Sequence, residues 1–397
     1  MNLKNQIRKK DYLVTIKNSI MRKALTKNLP VLLLVVLSFS CQKNAKDDSS
    51  SAKPGISTDF TPKELKNFVQ INTVGDNDIY KPQNVDGGLI NGWGIAFLPT
   101  GLSVVASEGK GTSPFYNFDG VPVSNAVRIP NAVSPNGDAG SPDHGHPTGP
   151  TYNPTSDFKL PNGNAAQFIF ASADGTISGW NNGNLAVKKI DNSPNAYYSG
   201  LTFGIDGSDF FLYVANFAQN RIEVFDKNWN PVNKSFADPN LPAGYSPYNI
   251  QTVSDGKIYV TYAKKNSSGK LQKGQGNGII NVFSPNGTLI KRFATNGKLD
   301  TPWGITMAPA GFWGEFSQLS NMILVANYGS GQISVYDENG NYFGPLSGKG
   351  KTIEIDGLFG ITFPPINGLN RYYLYFASGP NNGTSGLVGY IKNQFIN

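Results

Sequence analysis

Residues 301–337 read TPWGITMAPAGFWGEFSQLSNMILVANYGSGQISVYD. Three strand-like pieces stand there in order. Trp303-Gly304-Ile305-Thr306 comes first, an apolar run ending in Val325-Ala326-Asn327 follows, and Gly331-Gln332-Ile333-Ser334-Val335-Tyr336-Asp337 closes the unit. Period-two alternation and enrichment in β-branched and aromatic residues mark strands rather than helices. The question for the fold is whether the unit repeats, because a recurring supersecondary unit decides an architecture that one strand cannot.

It does repeat. The first piece returns as Trp93-Gly94-Ile95-Ala96, Ser199-Gly200-Leu201-Thr202 and Phe359-Gly360-Ile361-Thr362, and more loosely as Thr148-Gly149-Pro150-Thr151 and Tyr248-Asn249-Ile250-Gln251. The second piece ends at Ser107, Ser172, Asn216, Tyr262, Asn327 and Ser378, spaced 44 to 65 residues apart. The third returns over 220–226 and 278–284, with a looser copy at 386–392. Six antiparallel units of this kind, separated by turn residues, predict an all-β chain built as a six-bladed β-propeller, which removes exposed sheet edges by closing a ring. A β-sandwich would not demand six aligned copies of unlike motifs. The glycines at 94, 200, 304 and 360 fit innermost strands that crowd the axis, where a missing Cβ lets backbones approach. The last unit supplies three strands, and Phe68-Val69-Gln70-Ile71-Asn72-Thr73 stands alone before the first. Pairing that orphan run beside the last strand predicts a ring closed by the N-terminal strand, with the propeller spanning residues 65–397.

The N-terminus reads differently. Arg22, Lys23 and Lys27 precede the apolar run Val31–Leu37, and Ser38-Phe39-Ser40-Cys41 follows it. That is the order of a secretory signal, and the run is far shorter than the ~20 residues of a membrane-spanning helix. Cys41 is the only cysteine. Its place directly behind the run resembles a bacterial lipoprotein signal, in which the cysteine becomes the lipidated first residue, although Phe39 departs from the usual small residue. Residues 1–40 are therefore expected to be a signal peptide, translated from Met1 or Met21, and residues 41–64, polar and rich in Ser, Lys and Asp, a flexible tether. The expected location is the cell envelope, lipid-anchored at an outer membrane, with the periplasmic and surface faces both open.

The formal charge of +7 carries little meaning for the folded part. Eight of the 34 Lys and Arg and one of the 27 Asp and Glu lie in residues 1–40, so the remainder balances at 26 each. A nucleic-acid binder would show a basic footprint there, and none is expected as a partner. A lone cysteine excludes a disulfide framework. The chain contains no G-x-S-x-G elbow, P-loop or C-x-x-C pair.

Several segments together carry a family likeness: Asn91-Gly-Trp-Gly-Ile95, Ala173-Asp-Gly-Thr-Ile-Ser-Gly-Trp180, Gly244-Tyr-Ser-Pro-Tyr-Asn249, Thr301-Pro-Trp-Gly304 with Ala308-Pro309, Asp356-Gly-Leu-Phe-Gly360 and Tyr375-Phe-Ala-Ser-Gly-Pro380. In order along residues 65–395, they resemble an uncharacterised family of secreted bacterial propeller proteins, known by a conserved domain without assigned activity. More distantly the chain is similar to NHL-type propellers, gluconolactonase-like enzymes and streptogramin lyases. The resemblance implies fold and export and says almost nothing of chemistry, since one fold hosts many functions.

Chemistry is sought where the repeats converge. If the second piece ends at equal depth in each blade, Ser107, Ser172, Asn216, Tyr262, Asn327 and Ser378 form one polar ring, with Glu108 beside it. Such a ring suits a small molecule, a protein partner or a cation at the channel mouth. Glu108, Asn216 and Asn327 offer the oxygen ligands that calcium takes. The alternative is that these residues cap strand ends and bond inter-blade turns, as Ser and Asn commonly do. The only histidines, His144 and His146, stand in Pro142-Asp143-His144-Gly145-His146-Pro147. They offer a general base, or with Asp143 part of a metal site, against a loop with no such role. Residues 264–278 carry four lysines among glycines and read as an anion-binding loop or, preferably, a solvated one. Two functions follow: a lipid-anchored binding or interaction module, or a propeller hydrolase or lyase using Glu108, His144 or His146 at the mouth.

Replacing Cys41 by Ser is expected to abolish incorporation of labelled fatty acid and release the protein from membranes, because buried acyl methylenes supply the anchoring at about 0.8 kcal/mol each. Label retained in the variant would exclude Cys41 as the lipid site.

Overall fold

The middle strands explain the architecture most directly. Ile323–Asn327, Phe168–Ser172 and Leu374–Ser378 are buried at every residue, although an antiparallel sheet commonly leaves one face to water. Here both faces are covered by neighbouring sheets. Leu324 packs against the sheet that follows its own, among Leu358, Ile361 and Phe376. Ile323 and Val325 pack against the preceding one, among Ile280, Val282 and Phe293. Side chains alternate across a strand, so a strand wedged between two sheets must be apolar throughout.

The computed structural model describes residues 63–133, 144–314, 317 and 319–395. Six of their sheets are wedged each against the next, beside a small two-stranded one formed by Ser347–Gly348 and Lys351–Thr352, and the chain is the six-bladed β-propeller expected. The inner strands are Gly92–Phe97, Pro147–Tyr152, Tyr198–Asp206, Tyr245–Thr252, Pro302–Met307 and Leu358–Thr362. Blades two to five are simple four-stranded meanders. Blade one is less regular, because Pro114 interrupts its third strand between Thr112–Ser113 and Phe115–Tyr116. That interruption explains why no copy of the third sequence piece is legible there. Hydrophobic clusters fill the spaces between consecutive blades, and a further cluster, including Trp93, Tyr248, Trp303 and Phe359, lies on the axis.

The ring closes as the orphan run predicted. Phe68–Gly75 pairs antiparallel with Leu387–Asn393, from Phe68 opposite Asn393 to Gly75 opposite Leu387, with a bulge between Asn72 and Val74. The sixth blade thus takes two strands from one end of the domain, Phe68–Gly75 and the short Asn84–Val85 that pairs parallel along its outer side, and its other three from the opposite end. Phe68 and Val74 of that strand are buried, in the clusters on the two sides of blade six.

At the axis the inner strands approach so closely that side chains do not fit between them. A Cβ on Gly304 would stand 2.4 Å from the Phe359 carbonyl oxygen, and one on Gly360 would stand 2.8 Å from that of Trp93. Each contact links one blade to the next. Blade four carries Asn249 where the other inner strands carry glycine, and its Nδ2 donates to the Trp303 carbonyl at 3.0 Å.

Residues 1–62, with the signal, Cys41 and most of the tether, lie outside the described residues.

Deleting residues 65–76 should strip the sixth blade of Phe68–Gly75 and of three buried anchors, Leu65, Phe68 and Val74. Burying one such side chain contributes about 1.5–3 kcal/mol, so the loss should exceed about 4.5 kcal/mol, or about 10 °C in melting temperature for a domain of this size. Aggregation should rise with the newly exposed edge, and scanning calorimetry with light scattering reads both.

Candidate functional site

In every blade the inner strand begins opposite the residue that ends the middle strand. Gly92 pairs with Ser107, Pro147 with Ser172, Tyr198 with Asn216, Pro302 with Asn327 and Leu358 with Ser378, while in blade four, where the strands run two residues further to Tyr245 opposite Lys264, the equivalent pair is Pro247 with Tyr262. These six middle-strand residues occupy equivalent depth and are all buried. Their polar atoms are spent within the protein. Ser107 Oγ accepts from the Ile90 N–H at 2.9 Å and Ser172 Oγ from that of His146 at 3.0 Å. Asn216 Oδ1 accepts from Tyr197 N–H at 3.3 Å, and Asn327 Oδ1 from Asp300 N–H at 2.9 Å. Ser378 Oγ donates to the Leu387 carbonyl at 3.4 Å. Burial pushes the Tyr262 phenol well above its ordinary range. In four blades, therefore, this residue pins the loop that enters its own inner strand, which is the capping role.

The groups around the mouth come one residue later. Glu108, Ala173, Phe217, Tyr328 and Gly379 each bond through the backbone N–H to the carbonyl of Asn91, His146, Tyr197, Thr301 and Gly357, respectively. A one-residue step along a strand exchanges faces, which is why a ring drawn at 107 and its equivalents falls inside the wall while the next position reaches the opening.

The two sides of the opening differ in chemistry. On one side Tyr197, Phe217, Tyr248 and Tyr328, with Trp93 and Phe359 beneath, line a cup of about 400 Å³. Its rings are in mutual contact. Trp93 stacks on Phe359 at 4.1 Å, Phe359 on Tyr328 at 4.3 Å, and Phe217 lies 5.4 Å from Tyr248. Trp303 reaches across the axis and donates from Nε1 to the Ser199 carbonyl at 2.9 Å. The lysine-rich segment, read from sequence as solvated, is exposed along much of its length and also borders this side. Gly269, Lys270 and Leu271 line the cup, and Leu271 packs on the axial cluster.

The other side is polar. Glu108 Oε1 lies 2.8 Å from His146 Nδ1, and Asn91 Nδ2 donates to Glu108 Oε2 at 2.7 Å. The His144 ring lies 4.9 Å from that of His146, and its Nδ1 is 2.6 Å from the Gly145 carbonyl. Glu108, His144 and His146, separate candidates in the sequence, are thus one cluster. Asn91 completes it, a residue that sequence reasoning passed over because its motif was read for Trp93 and Gly94. Burial pushes the Glu108 carboxyl upward, but the hydrogen bonds from His146 and Asn91 outweigh it and hold the pKa below the ordinary value. His146 is raised, chiefly by its hydrogen bond to Glu108, against the opposing effect of burial. Beside a carboxylate, Nδ1 must carry the proton, so neutral His146 presents an unprotonated Nε2. Burial first, and then the Glu108 charge, push the Tyr197 phenol up, which ties the polar side to the aromatic one.

For a metal the arrangement offers less. Glu108 has both oxygens engaged, Asn216 is bonded to Tyr197, Gln219 and Glu223, and Asn327 to Asp300, Gln332 and Ser334. The three share no partner. Among the described residues no cluster of three or more His, Cys, Asp or Glu side chains is placed to hold a metal ion. Asp143, the further ligand considered beside the histidines, lies outside the described residues.

No protein-family model matches the chain. Two uncharacterised proteins of Acanthamoeba polyphaga mimivirus are similar to it along most of their length. One is 31% identical, over 85% of this chain and 84% of its own, and the other 30% identical, over 85% and 89%. Among solved structures, a streptogramin B lyase shares 12% identity at a TM-score of 0.48, with 82% of this chain and 98% of its own covered. A gluconolactonase from Xanthomonas campestris shares 11% identity at 0.48, covering 86% and 99%. The relatives found by sequence are thus viral, where the motifs resembled a bacterial family.

Replacing Glu108 by Gln should lower the His146 pKa, read from the pH titration of its imidazole signals by NMR. The attraction itself stabilises the fold below the ordinary imidazole pKa and fades as pH rises through the elevated value of His146. On the acid side it fades as pH falls through the depressed value of Glu108. An unchanged titration in the variant would mean that the carboxylate does not control the histidine.

Proposed function

This chain belongs to the same family as the two mimivirus proteins, and from that footing we propose that it is a ligand-binding propeller taking a small organic molecule at the aromatic mouth of its central channel. The observation that carries the reading is the juxtaposition at one mouth of a ring-lined cup and a Glu108–His146 pair. Apolar walls with a few placed polar groups are what small-molecule sites require. On the same reading the protein is exported and held at the cell envelope by lipid on Cys41.

A second reading is favoured by one specific feature. His146 is held at Nδ1 by a carboxylate, makes no hydrogen bond through Nε2 among the described residues, and stays partly open, with 39% of its side chain exposed. A histidine oriented in this way acts as a general base, with Glu108 stabilising the imidazolium that forms. This supports a lyase or hydrolase acting on the molecule held in the cup. The two readings differ only in whether the bound molecule is consumed.

A metabolite panel screened by thermal shift tests the first reading, since a ligand of the folded state raises the melting temperature by mass action. A compound that stabilises the wild type should lose most of its effect in Phe217→Ala and Tyr328→Ala. Equal stabilisation of wild type and both variants would place the compound elsewhere and remove the reading. For the second reading, His146→Asn should keep the thermal shift while lowering turnover of that compound by about 10²–10⁴-fold. A compound bound and left intact by the wild type would leave the binding module standing.

A further inference from the structure

The segment that borders the cup has an unbalanced charge. Lys264 ends the strand Ile258–Lys264, and Lys265, Lys270 and Lys273 lie between it and Gly278–Phe283. Among the described residues, none of the four is paired with a carboxylate. Lys265 Nζ is bonded instead to neutral acceptors, the Phe217 carbonyl at 3.3 Å and Asn220 Oδ1 at 2.8 Å. Burial without a countercharge lowers its pKa. Two of the ammonium groups stand over rings of the cup, Lys273 at 4.0 Å from the Tyr328 centroid and Lys265 at 5.4 Å from that of Phe217. Lys270 lines the opening and is exposed.

A second observation lies in the cup itself. Trp93 is 7% exposed, lines the cup, and its Nε1 has no hydrogen-bond partner. The neighbouring Trp303 has its indole N–H satisfied by Ser199. A buried donor without an acceptor is costly, and Nε1 is closed off from the cup by its neighbours, so only a shift of the surrounding rings would let an acceptor reach it.

We propose that the mouth takes an organic anion with a flat apolar body, its ring held within the aromatic cup and its acidic group among Lys265, Lys270 and Lys273. This rests on the reading of the mouth as a small-molecule site and specifies its ligand class. Aromatic walls alone would also suit a cation, but here two ring faces are already taken by ammonium groups, which repel one. Of the carboxylates nearby, Glu108 is engaged by His146 and Asn91, and Asp300 accepts from the Gly274 N–H and the Thr301 hydroxyl.

Three naphthalene probes of one size separate the classes: 1-naphthoate, 1-naphthalenemethanol and 1-naphthylmethylammonium, titrated calorimetrically against the intact protein at low salt. Naphthoate should bind saturably and at least about tenfold more tightly than the alcohol, the combined worth of two or three partly exposed ion pairs, and the ammonium should bind weakest. The double variant Lys270→Ala/Lys273→Ala should lose about tenfold for naphthoate and nothing for the alcohol, whereas Phe217→Ala should weaken both. The lysines are surface residues, and an unchanged melting curve confirms that the double variant is folded. Alcohol or ammonium binding as tightly as naphthoate, or naphthoate indifferent to the double variant, overturns the anion class while leaving a binding mouth. Failure of all three probes to bind the folded wild type overturns both the anion class and the ligand-binding reading beneath it.

Discussion

Close approach of consecutive inner strands around the axis is the constraint on which the rest of this propeller depends. Gly304 against Phe359, and Gly360 against Trp93, bring backbone to within reach of backbone. Those contacts set the radius at which six wedge-shaped sheets meet. Moving the strands apart would open the spaces between blades, where Leu324 and Ile361, or Val325 and Val282, now pack. Closure by Phe68–Gly75 on Leu387–Asn393 completes the ring and joins contacts more than 300 residues apart in sequence, as in the 315-residue separation of Thr73 from Val388. Such non-local pairing carries a large loop-closure entropy, which the buried anchors Phe68 and Val74 help to offset.

The same ring geometry produces the mouth. Because every middle strand ends opposite the start of its inner strand, one residue position per blade is delivered to the opening at a common depth. Evolution has filled that position asymmetrically, with Glu108 in blade one and Phe217 and Tyr328 in blades three and five. The residues entering the inner strands follow suit, with Asn91 and His146 on one side and Tyr197 on the other. A symmetric scaffold thereby carries a two-sided site, polar where blades one and two meet and aromatic across blades three to six. The division matters physically. A carboxylate–imidazole pair is strengthened by partial exclusion of water, and the neighbouring rings exclude water without competing for hydrogen bonds.

Buried polar residues of the wall do a different task. Ser107, Ser172, Asn216 and Asn327 satisfy backbone N–H groups of loops that would otherwise run unpaired beneath the surface. Their chemistry is what a ligand ring would use, and only their orientation separates the two roles. Along a strand that orientation reverses at each residue, so a reading that is right about the repeat and wrong by one position selects the wall and misses the opening.

Much of the architecture was legible in the linear chain. Six copies of unlike strand motifs, glycines at one fixed place in five of them, and an unpaired strand before the first are local patterns, and a ring is the arrangement that satisfies them together. Glu108, His144 and His146 were legible as reactive types, yet nothing local showed that residues 108 and 146 form a hydrogen bond. That contact depends on the packing of blade one against blade two. The aromatic cup was harder still, since Tyr197, Phe217, Tyr248 and Tyr328 lie in three blades and look, in sequence, like ordinary core residues. The placing of the lysine segment beside them was hidden for the same reason. The sequence by itself determined the number of blades, the way the ring closes and the residues that crowd the axis, because periodic patterning and close packing are local properties. Only the tertiary structure decided which polar groups face the mouth and which are buried, because that choice depends on a one-residue register between strands and on contacts between blades distant along the chain.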